Sequence, residues 1–328
     1  MAIFNLGDNF LWFDGAATSM LLFLLATLFV ASAFPQSPAD FVKQGNEYVS
    51  KGDYTHAIAA YTNSIRLDPG AARTFYLRGN AYYRNHEDDR AIQDYTEAIR
   101  LEPKYGDAFR ERGQVYEDKG DYRHAIDDYT KAIGIRPENS YLLYDRAFAY
   151  ERTGQYQAAI ADVTEVIRRF PKAGDGYRNR GRLWLYSGNL SQAQQDLSRA
   201  VELYPSDSYN VIWLYLSRAR GTSHAQNGPA EEELAKNAAK LNLTKWPGPV
   251  IELFLGKDSP KAVLQAASDQ NPVKQKGQEC EANFYIAENH ALHGQQSAAQ
   301  GSFREAVKIC PRNYFFYESA GRAELGNK

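Results

Sequence analysis

Small, aromatic and apolar residues recur along this chain at a spacing of 34 residues. Three columns of the self-alignment hold Gly45, Gly79, Gly113, Ala147 and Gly181, then Tyr48, Tyr82, Tyr116, Tyr150 and Trp184, then Ala57, Ala91, Ala125, Ala159 and Ala193. Mid-copy positions hold Gly52, Gly120, Gly154 and Gly188, with His86 in the second copy, and each copy closes on Pro69, Pro103, Pro137, Pro171 or Pro205. Self-similarity at this period predicts a stack of helical repeats, at 38–71, 72–105, 106–139, 140–173 and 174–207.

Each copy predicts two antiparallel helices. The mid-copy glycine suits the left-handed conformation that ends a helix, and the closing proline stops the second helix. The pattern resembles the tetratricopeptide family, for example in Ala91-Ile-Gln-Asp-Tyr-Thr-Glu-Ala-Ile-Arg-Leu-Glu-Pro103. That resemblance implies an all-α fold, a right-handed α-α superhelix that binds other polypeptides.

A charged pattern lies inside the repeats. An arginine precedes the small residue, and an aspartate follows it sixteen positions later, as Arg78, Arg112, Arg146 and Arg180 with Asp94, Asp128, Asp162 and Asp196. The first copy has Gln44 and Ala60 instead, so the two residues are present or absent together. We therefore predict an Arg–Asp ion pair within each of four hairpins. The alternative is that the aspartates face solvent and the arginines belong to a binding surface.

The repeat register ends at Pro205. We predict an irregular helical segment over 208–279, in which Gln270–Gln278 is a polar connector. The repeat spacing then returns at Ala287, Gly294, Ala299 and Pro311. It predicts a sixth hairpin over 280–313 and a capping helix over 314–328, which would cover the end of the stack.

The C-terminal third carries a more specific resemblance. Residues 208–325 resemble the bacterial NlpI-type tetratricopeptide lipoproteins. The most specific pieces are Val250–Gly256, in a helix that begins near Trp246 and ends in Leu-Gly, and Glu281–Ala287. The resemblance implies a dimeric adaptor of the cell envelope that brings peptidoglycan hydrolases to a periplasmic protease. The lipid-bearing cysteine of that family is absent here, and the repeat array is longer.

The N-terminus predicts export. An uncharged apolar run over 20–30 precedes Ala31-Ser32-Ala33, the form of a secretory signal with its cleavage site. We therefore expect residues 1–33 to be a signal peptide and 34–207 to be the repeat array of a periplasmic or envelope protein. Two alternatives stay open: an uncleaved membrane anchor formed by 15–34, and a buried cytosolic helix. Asp8 and Asp14 stand where a signal normally has positive charge.

Charge and motif content exclude several classes of function. The 38 basic and 40 acidic residues give a net charge of −2, without the basic stripe that nucleic-acid binding requires. The chain has no glycine-rich phosphate loop, no Gly-x-Ser-x-Gly elbow and no His-Glu-x-x-His motif. We expect neither enzymatic activity nor a cofactor.

The two cysteines and a few histidines are the remaining candidates for chemistry. Cys280 and Cys310 lie at the ends of the predicted sixth hairpin that come together, so a disulfide is predicted, as in an oxidising compartment. Two buried thiols, or a catalytic Cys280 acting with His290 or His293, are the alternatives. Two histidines one turn apart are too few ligands to predict a metal site. His56 and His124 share one repeat position, which indicates a structural role.

The first helices of successive repeats are expected to line a concave groove rich in arginine, tyrosine and amide side chains. The outward positions hold Arg73, Tyr76, Asn80, Tyr83, Arg110, Gln114, Tyr141, Tyr144, Phe148, Arg178 and Arg182. Tyrosine and arginine anchor interfaces, and arginine binds carboxylates through a planar fork. We predict that repeats two to five bind an extended or helical peptide, with acidic peptides a particular expectation. The alternative is an ordinary solvated face.

These features together predict an adaptor that binds other proteins or peptides in the envelope, with membrane attachment through the N-terminus or formation of a homodimer left open. A second hypothesis is a chaperone-like tetratricopeptide module for secretion or pilus assembly. A third hypothesis, from a different class, is the Cys/His enzyme.

Overall fold

A computed structural model describes residues 36–220 and 228–310, together with two short antiparallel strands, β1 (Asn5–Leu6) and β2 (Asn9–Phe10). The predicted signal peptide or anchor otherwise lies outside the described residues, as does the predicted capping helix. None of the described helices combines the length and the apolar character that crossing a bilayer requires.

The chain divides into two compact bodies, an N-terminal body (residues 1–103) and a C-terminal body (residues 104–328). The N-terminal body holds the helices α1 (Pro38–Ser50), α2 (Tyr54–Leu67), α3 (Ala72–Arg84) and α4 (Asp88–Leu101). They form two antiparallel hairpins, α1–α2 and α3–α4, and α2 packs against α3.

The C-terminal body continues the same arrangement. Its first three hairpins are built from α5 (Gly106–Asp118), α6 (Tyr122–Ile135), α7 (Ser140–Arg152), α8 (Tyr156–Arg169), α9 (Gly174–Tyr186) and α10 (Leu190–Leu203). The remaining helices are α11 (Ser208–Ala219), α12 (Gly228–Ala238), α13 (Gly248–Phe254), α14 (Pro260–Ala266), α15 (Pro272–Leu292) and α16 (Gln296–Ile309). The helical repeats confirm the predicted all-α solenoid fold class, with one hairpin per predicted copy.

Turn residues within the hairpins follow the sequence pattern. The mid-copy glycines have positive φ, for example 74° at Gly52 and 80° at Gly120. His86, which replaces the glycine in the second copy, also has a positive φ of 60°. The left-handed turn is therefore imposed by the repeat geometry even where the residue carries a side chain that disfavours it.

The small residue of each repeat lies where the two helices of a hairpin approach most closely. A methyl group added to Gly79 would come within 2.8 Å of the Tyr95 ring, and one added to Gly113 within 2.9 Å of the Tyr129 ring. Both tyrosines belong to the second helix and are fully buried. The glycine is thus required by a close helix crossing, and a second-helix aromatic ring fills the space beside it.

One element prediction is wrong. The expected polar connector Gln270–Gln278 is helical from Pro272 onward, as the first two turns of the 21-residue helix α15. Asn271 caps this helix with its side-chain oxygen, and Pro272 occupies the first helical position, where its missing N–H costs nothing. Gly277 and Gln278 are buried while most of the preceding residues are exposed, so the segment is the start of a helix that packs at Gly277 and is not a loop.

The largest hydrophobic core lies in the C-terminal body, around α11, α13 and α15. Trp213 contacts Phe284 and Tyr285, with ring centroids 6.0 Å apart in each case, and Phe254 packs against Tyr215 at 5.0 Å. The hairpins with repeat register have smaller cores that consist mostly of alanine, tyrosine and short aliphatic side chains. The irregular segment therefore shares one hydrophobic core with the hairpin α15–α16.

Candidate functional site

The structure brings together the arginine and aspartate of all four predicted pairs. In each hairpin the arginine Nε donates to one aspartate oxygen at 2.7–2.9 Å and Nη2 donates to the other at 2.6–2.8 Å. The aspartates are almost fully buried; Asp162, for example, is 6% exposed. The aspartates therefore do not face solvent, and two-point geometry fixes the first helix against the second.

A threonine that the sequence reasoning missed joins three of these pairs to the hairpin before. Arg78 Nη1 donates to Thr62 Oγ1 at 3.0 Å, and Arg146 and Arg180 donate in the same way to Thr130 and Thr164 at 3.1 Å. These threonines also recur at the repeat spacing, which is the signal that could have found them. Each guanidinium is thus a brace within one hairpin and between two.

In the N-terminal body, the predicted binding residues lie on the first helix of the second hairpin, α3. Arg73 is exposed, while Tyr76 and Tyr83 are half-buried. The Tyr95 hydroxyl donates to the Asn80 side-chain oxygen at 2.7 Å. The Asn80 side-chain oxygen therefore already takes part in a hydrogen bond within its own hairpin.

In the C-terminal body, the predicted arginines of the groove already bind carboxylates of the chain itself. Arg110 donates to Asp145 at 2.8 Å, and Arg178 donates to Asp207 at 2.5 Å and to Asn210 at 2.9 Å. Arg182 lies 3.4 Å from Glu151, with its guanidinium over the Trp213 ring. Gln114, Tyr144 and Phe148 are half-buried beside them, and Tyr141 is exposed. The arginines that were expected to recognise an acidic peptide are therefore engaged within the molecule.

Two half-buried glutamates on the first helices α5 and α7 have a raised pKa. Burial raises the pKa of Glu117 to about 8, with the nearby Asp145 and Asp118 carboxylates adding to the effect, although the Tyr129 hydroxyl donates to Glu117 at 3.1 Å. Burial also raises the pKa of Glu151, against the opposing charge of Arg182. This face is therefore a desolvated environment in which a negative charge is costly.

Replacing Glu117 by glutamine should make the stability of the protein less dependent on pH. Because the folded-state pKa of Glu117 lies above the ordinary value of 4.5, the wild type loses stability as pH rises from about 4.5 to about 8. Glutamine keeps an acceptor for Tyr129 and removes this loss. We expect similar stabilities at low pH, and a gain of about 1–3 kcal/mol for the variant above pH 8.

Urea unfolding across this pH range measures the effect. The exposed Glu232→Gln is the control for loss of a surface carboxylate. If the free energy of unfolding depends on pH in the same way for Glu117→Gln and Glu232→Gln, the charge on Glu117 is not desolvated as described.

Comparison with known proteins identifies the repeats. A family model described as a TPR repeat matches residues 45–85, and one described as a tetratricopeptide repeat matches residues 76–140 and 144–208. This chain carries tetratricopeptide repeats. The matched residues are the hairpins described above, so the Arg–Asp pairs and the groove residues are features of these tetratricopeptide repeats.

Relatives of known name or structure are more distant. The chain is 28% identical over 144 residues to the lipoprotein NlpI homolog of Haemophilus influenzae, a match that spans 43% of this chain and slightly under half (45%) of that relative. Two solved structures are similar at 17% identity and a TM-score of 0.55. One is a tetratricopeptide repeat protein from Parabacteroides merdae, covering 88% of this chain and 99% of its own. The other is the C-terminal part of a TPR repeat-containing protein from Cytophaga hutchinsonii, covering 87% and 99%. At this identity the two structures show the fold alone.

Outside the matched repeats, the structure joins Cys280 and Cys310 in a disulfide, with their Cα atoms 4.9 Å apart. The Cys280 sulfur is therefore not a free nucleophile in this state, as a Cys/His enzyme would need. His290 Nδ1 lies against the Gln295 side chain, and His293 Nδ1 lies 2.7 Å from the Asn289 carbonyl oxygen. Among the residues the structure describes, no three potential ligands come together as a metal site.

His56 and His124 have the structural role that their shared repeat position indicates. Asp53 and Asp121 cap the second helices α2 and α6 by accepting from the histidine backbone N–H groups, and each also contacts the histidine Nδ1. The rings stack on Tyr48 and Tyr116 of the preceding helix, with centroids 5.2 and 5.0 Å apart.

Two buried carboxylates in the C-terminal body were not anticipated. Glu281 accepts from Tyr209 Oη at 2.9 Å and from Trp246 Nε1 at 2.6 Å, which ties α15 to α11 and to the segment before α13. Glu288 is buried and paired with Arg220. The signal in the sequence was their position in a run of buried apolar residues on α15, since a carboxylate at such a position needs a partner. Trp246 and Glu281, which belong to the two stretches singled out by their family resemblance, are thus in direct contact.

Proposed function

We propose that this chain is an adaptor that binds segments of partner proteins on the first-helix faces of its tetratricopeptide repeats. The observation that carries the proposal is the partial burial of side chains on α5 and α7 among the ion pairs of α5, α7 and α9. Gln114, Tyr144 and Phe148 are half-buried among paired charges, so their positions are set before a partner arrives. Aromatic and amide groups that are ordered in advance lose little entropy on binding.

The pairing of charges on this face favours a neutral or basic segment over an acidic one, because arginines that could bind an acidic peptide already bind carboxylates of the chain. Leaving out the arginines paired with second-helix aspartates, α5, α7 and α9 carry four arginines: Arg110, Arg152, Arg178 and Arg182. The same helices carry seven carboxylates: Asp107, Glu111, Glu117, Asp118, Asp145, Glu151 and Asp175. Asp107 is already paired with Arg136, and the raised pKa of Glu117 leaves that group largely protonated at neutral pH, so the excess of negative charge is small. An acidic peptide would instead have to displace Asp145 from Arg110 and Asp207 from Arg178.

Two features support a location in the cell envelope. The Cys280–Cys310 disulfide suits an oxidising compartment. The similar protein of Haemophilus influenzae is named a lipoprotein. Within this proposal, the narrower function implied by the NlpI-type resemblance is to bring peptidoglycan hydrolases to a periplasmic protease, without enzymatic activity of the chain's own.

Site-specific photo-crosslinking in cells tests the proposal. A benzophenone amino acid at Gln114 or Phe148 is expected to form adducts with envelope proteins, because these positions lie on the first-helix face. The same probe at Lys131 or Gln195, exposed positions on the second helices α6 and α10, is the matched control. The proposal is wrong if both sets of positions form the same adducts, or if neither forms any.

A further inference from the structure

A pocket of about 350 Å³ opens at the junction of the fourth and fifth repeats, within the C-terminal body. Its walls include Tyr141 and Tyr144 from the start of α7, Val166 near the end of α8, and Phe170 directly after α8. Glu138 and Asp175 also line it. The volume is at the lower end of the range in which proteins bind small ligands or single large side chains. None of the described residues that line it is a lysine or arginine.

The aromatic walls are unusually open to solvent. Tyr141 is 73% exposed and Phe170 is 52% exposed, which makes them the most and third most exposed of the large hydrophobic residues in the described chain. Exposed aromatic side chains around a concavity mark sites of interaction with other molecules. The Ser140 hydroxyl is buried at the same place and has no hydrogen-bond partner among the described residues.

Comparison with the preceding repeat shows how the pocket arises. Tyr141 and Phe170 occupy the repeat positions of Asp107 and Arg136. In the third repeat those two residues form a two-point ion pair, at 2.5 and 2.7 Å. The fourth repeat therefore has two aromatic residues where the third has an internal ion pair.

The charge beside the pocket also differs from the charge at the equivalent position of the adjacent repeats. Glu138, near the end of the third repeat, occupies the position held by Lys104 in the second repeat and Lys172 in the fourth. Asp175, on the other side, lies 3.4 Å from the Tyr144 hydroxyl. Two carboxylates therefore flank an aromatic pocket, an arrangement that attracts a cation next to an apolar group.

The geometry points to this pocket as the anchor site for a partner peptide in which a large apolar side chain stands next to a lysine or arginine. The apolar side chain packs between Tyr141 and Phe170, and the cation lies between Glu138 and Asp175. This inference rests on the proposed function, because it names the class of segment that the adaptor binds and the repeat at which binding is anchored.

Selection from a phage library of random dodecapeptides on the full chain, followed by fluorescence anisotropy with the selected peptides, tests the inference. The enriched sequences should place an aromatic or large aliphatic residue within about two positions of a lysine or arginine. At that spacing one side chain can enter the aromatic pocket while the other reaches the carboxylates beside it. The double variant Tyr141→Asp with Phe170→Arg transplants the third-repeat pair into the fourth repeat. This double variant should bind the selected peptides with an affinity lower by at least about tenfold, as expected for loss of an anchor residue.

Two further variants separate recognition from folding. Glu138→Lys changes an exposed residue to the one found in the neighbouring repeats, and should weaken the selected peptides and reduce the dependence of binding on salt. Val273→Arg alters an apolar residue on α15 whose exposure lies between those of Tyr141 and Phe170, and it should leave peptide binding unchanged. Circular dichroism melting of each variant verifies that the fold is intact.

The outcomes distinguish this inference from the function on which it rests. Enriched peptides that are acidic, or that bind the double variant and Glu138→Lys as well as they bind the wild type, overturn the anchor site and leave peptide binding in place. If no peptide is enriched at all, peptide binding itself is contradicted, and the anchor site with it.

Discussion

Replacing Arg146 by alanine is expected to lower the free energy of unfolding by about 3–5 kcal/mol, because it leaves the buried Asp162 carboxylate without its partner. Arg146 donates to both oxygens of Asp162, at 2.9 and 2.6 Å, and these hydrogen bonds raise the pKa of the arginine. The substitution also removes the bond to Thr130, at 3.1 Å, that joins two hairpins. Urea unfolding monitored by circular dichroism measures the change.

Two further variants identify the cause of this loss. Arg168 pairs with Glu165 on the solvent side of the same hairpin; its replacement by alanine should move the unfolding midpoint little, because exposed pairs are screened. The double variant Arg146→Met with Asp162→Leu should recover much of the loss, since it removes the buried charges together and keeps an apolar volume. A single variant as stable as the wild type would show that the pair is not the brace described.

Loss of the Cys280–Cys310 disulfide is expected to cost about 3–4 kcal/mol, from the entropy of closing a loop whose ends are 30 residues apart. Cys280 is fully buried in the C-terminal core, so the alanine variant also loses packing. Urea unfolding measures the difference in free energy of unfolding between three samples. These are the oxidised protein, the protein with reductant, and the double variant Cys280→Ala with Cys310→Ala. Reductant should destabilise the wild type and leave the double variant unchanged.

A second experiment on the two cysteines tests the oxidising compartment and the Cys/His-enzyme hypothesis. Thiol titration of the denatured, unreduced protein should find no free thiol if the disulfide forms in cells. Two reactive thiols would contradict the disulfide and would leave Cys280 available as a nucleophile.

The pairing of Arg146 with Asp162 illustrates why part of the structure could be predicted. Two residues present or absent together at a constant spacing within one hairpin meet each time the hairpin forms, because the turn between the helices is short and of constant length. The same reasoning placed Cys280 near Cys310. Contacts within one repeat are therefore readable from the register of the chain alone.

Contacts between repeats could not be read in this way. Arg178 and Arg182 have the residue type and the helix position of peptide-binding groups, but Asp207 and Glu151 on neighbouring hairpins occupy them. Which residues meet across that junction depends on how one hairpin rotates on the next. That rotation comes from the packing of many side chains together, and no local spacing reports it.

The sequence by itself determined that the chain folds into helical hairpins, where each hairpin turns and which charges pair inside it, since these follow from short-range spacing and backbone preference. Only the tertiary structure decided that Glu117 is desolvated, that the groove arginines are already paired, and that Tyr141 and Phe170 enclose an open pocket where the preceding repeat has an ion pair. The physical reason is that burial and charge pairing across repeats depend on which surfaces stacking brings together. The 34-residue period is the same whether the stacked surfaces close a junction or leave it open.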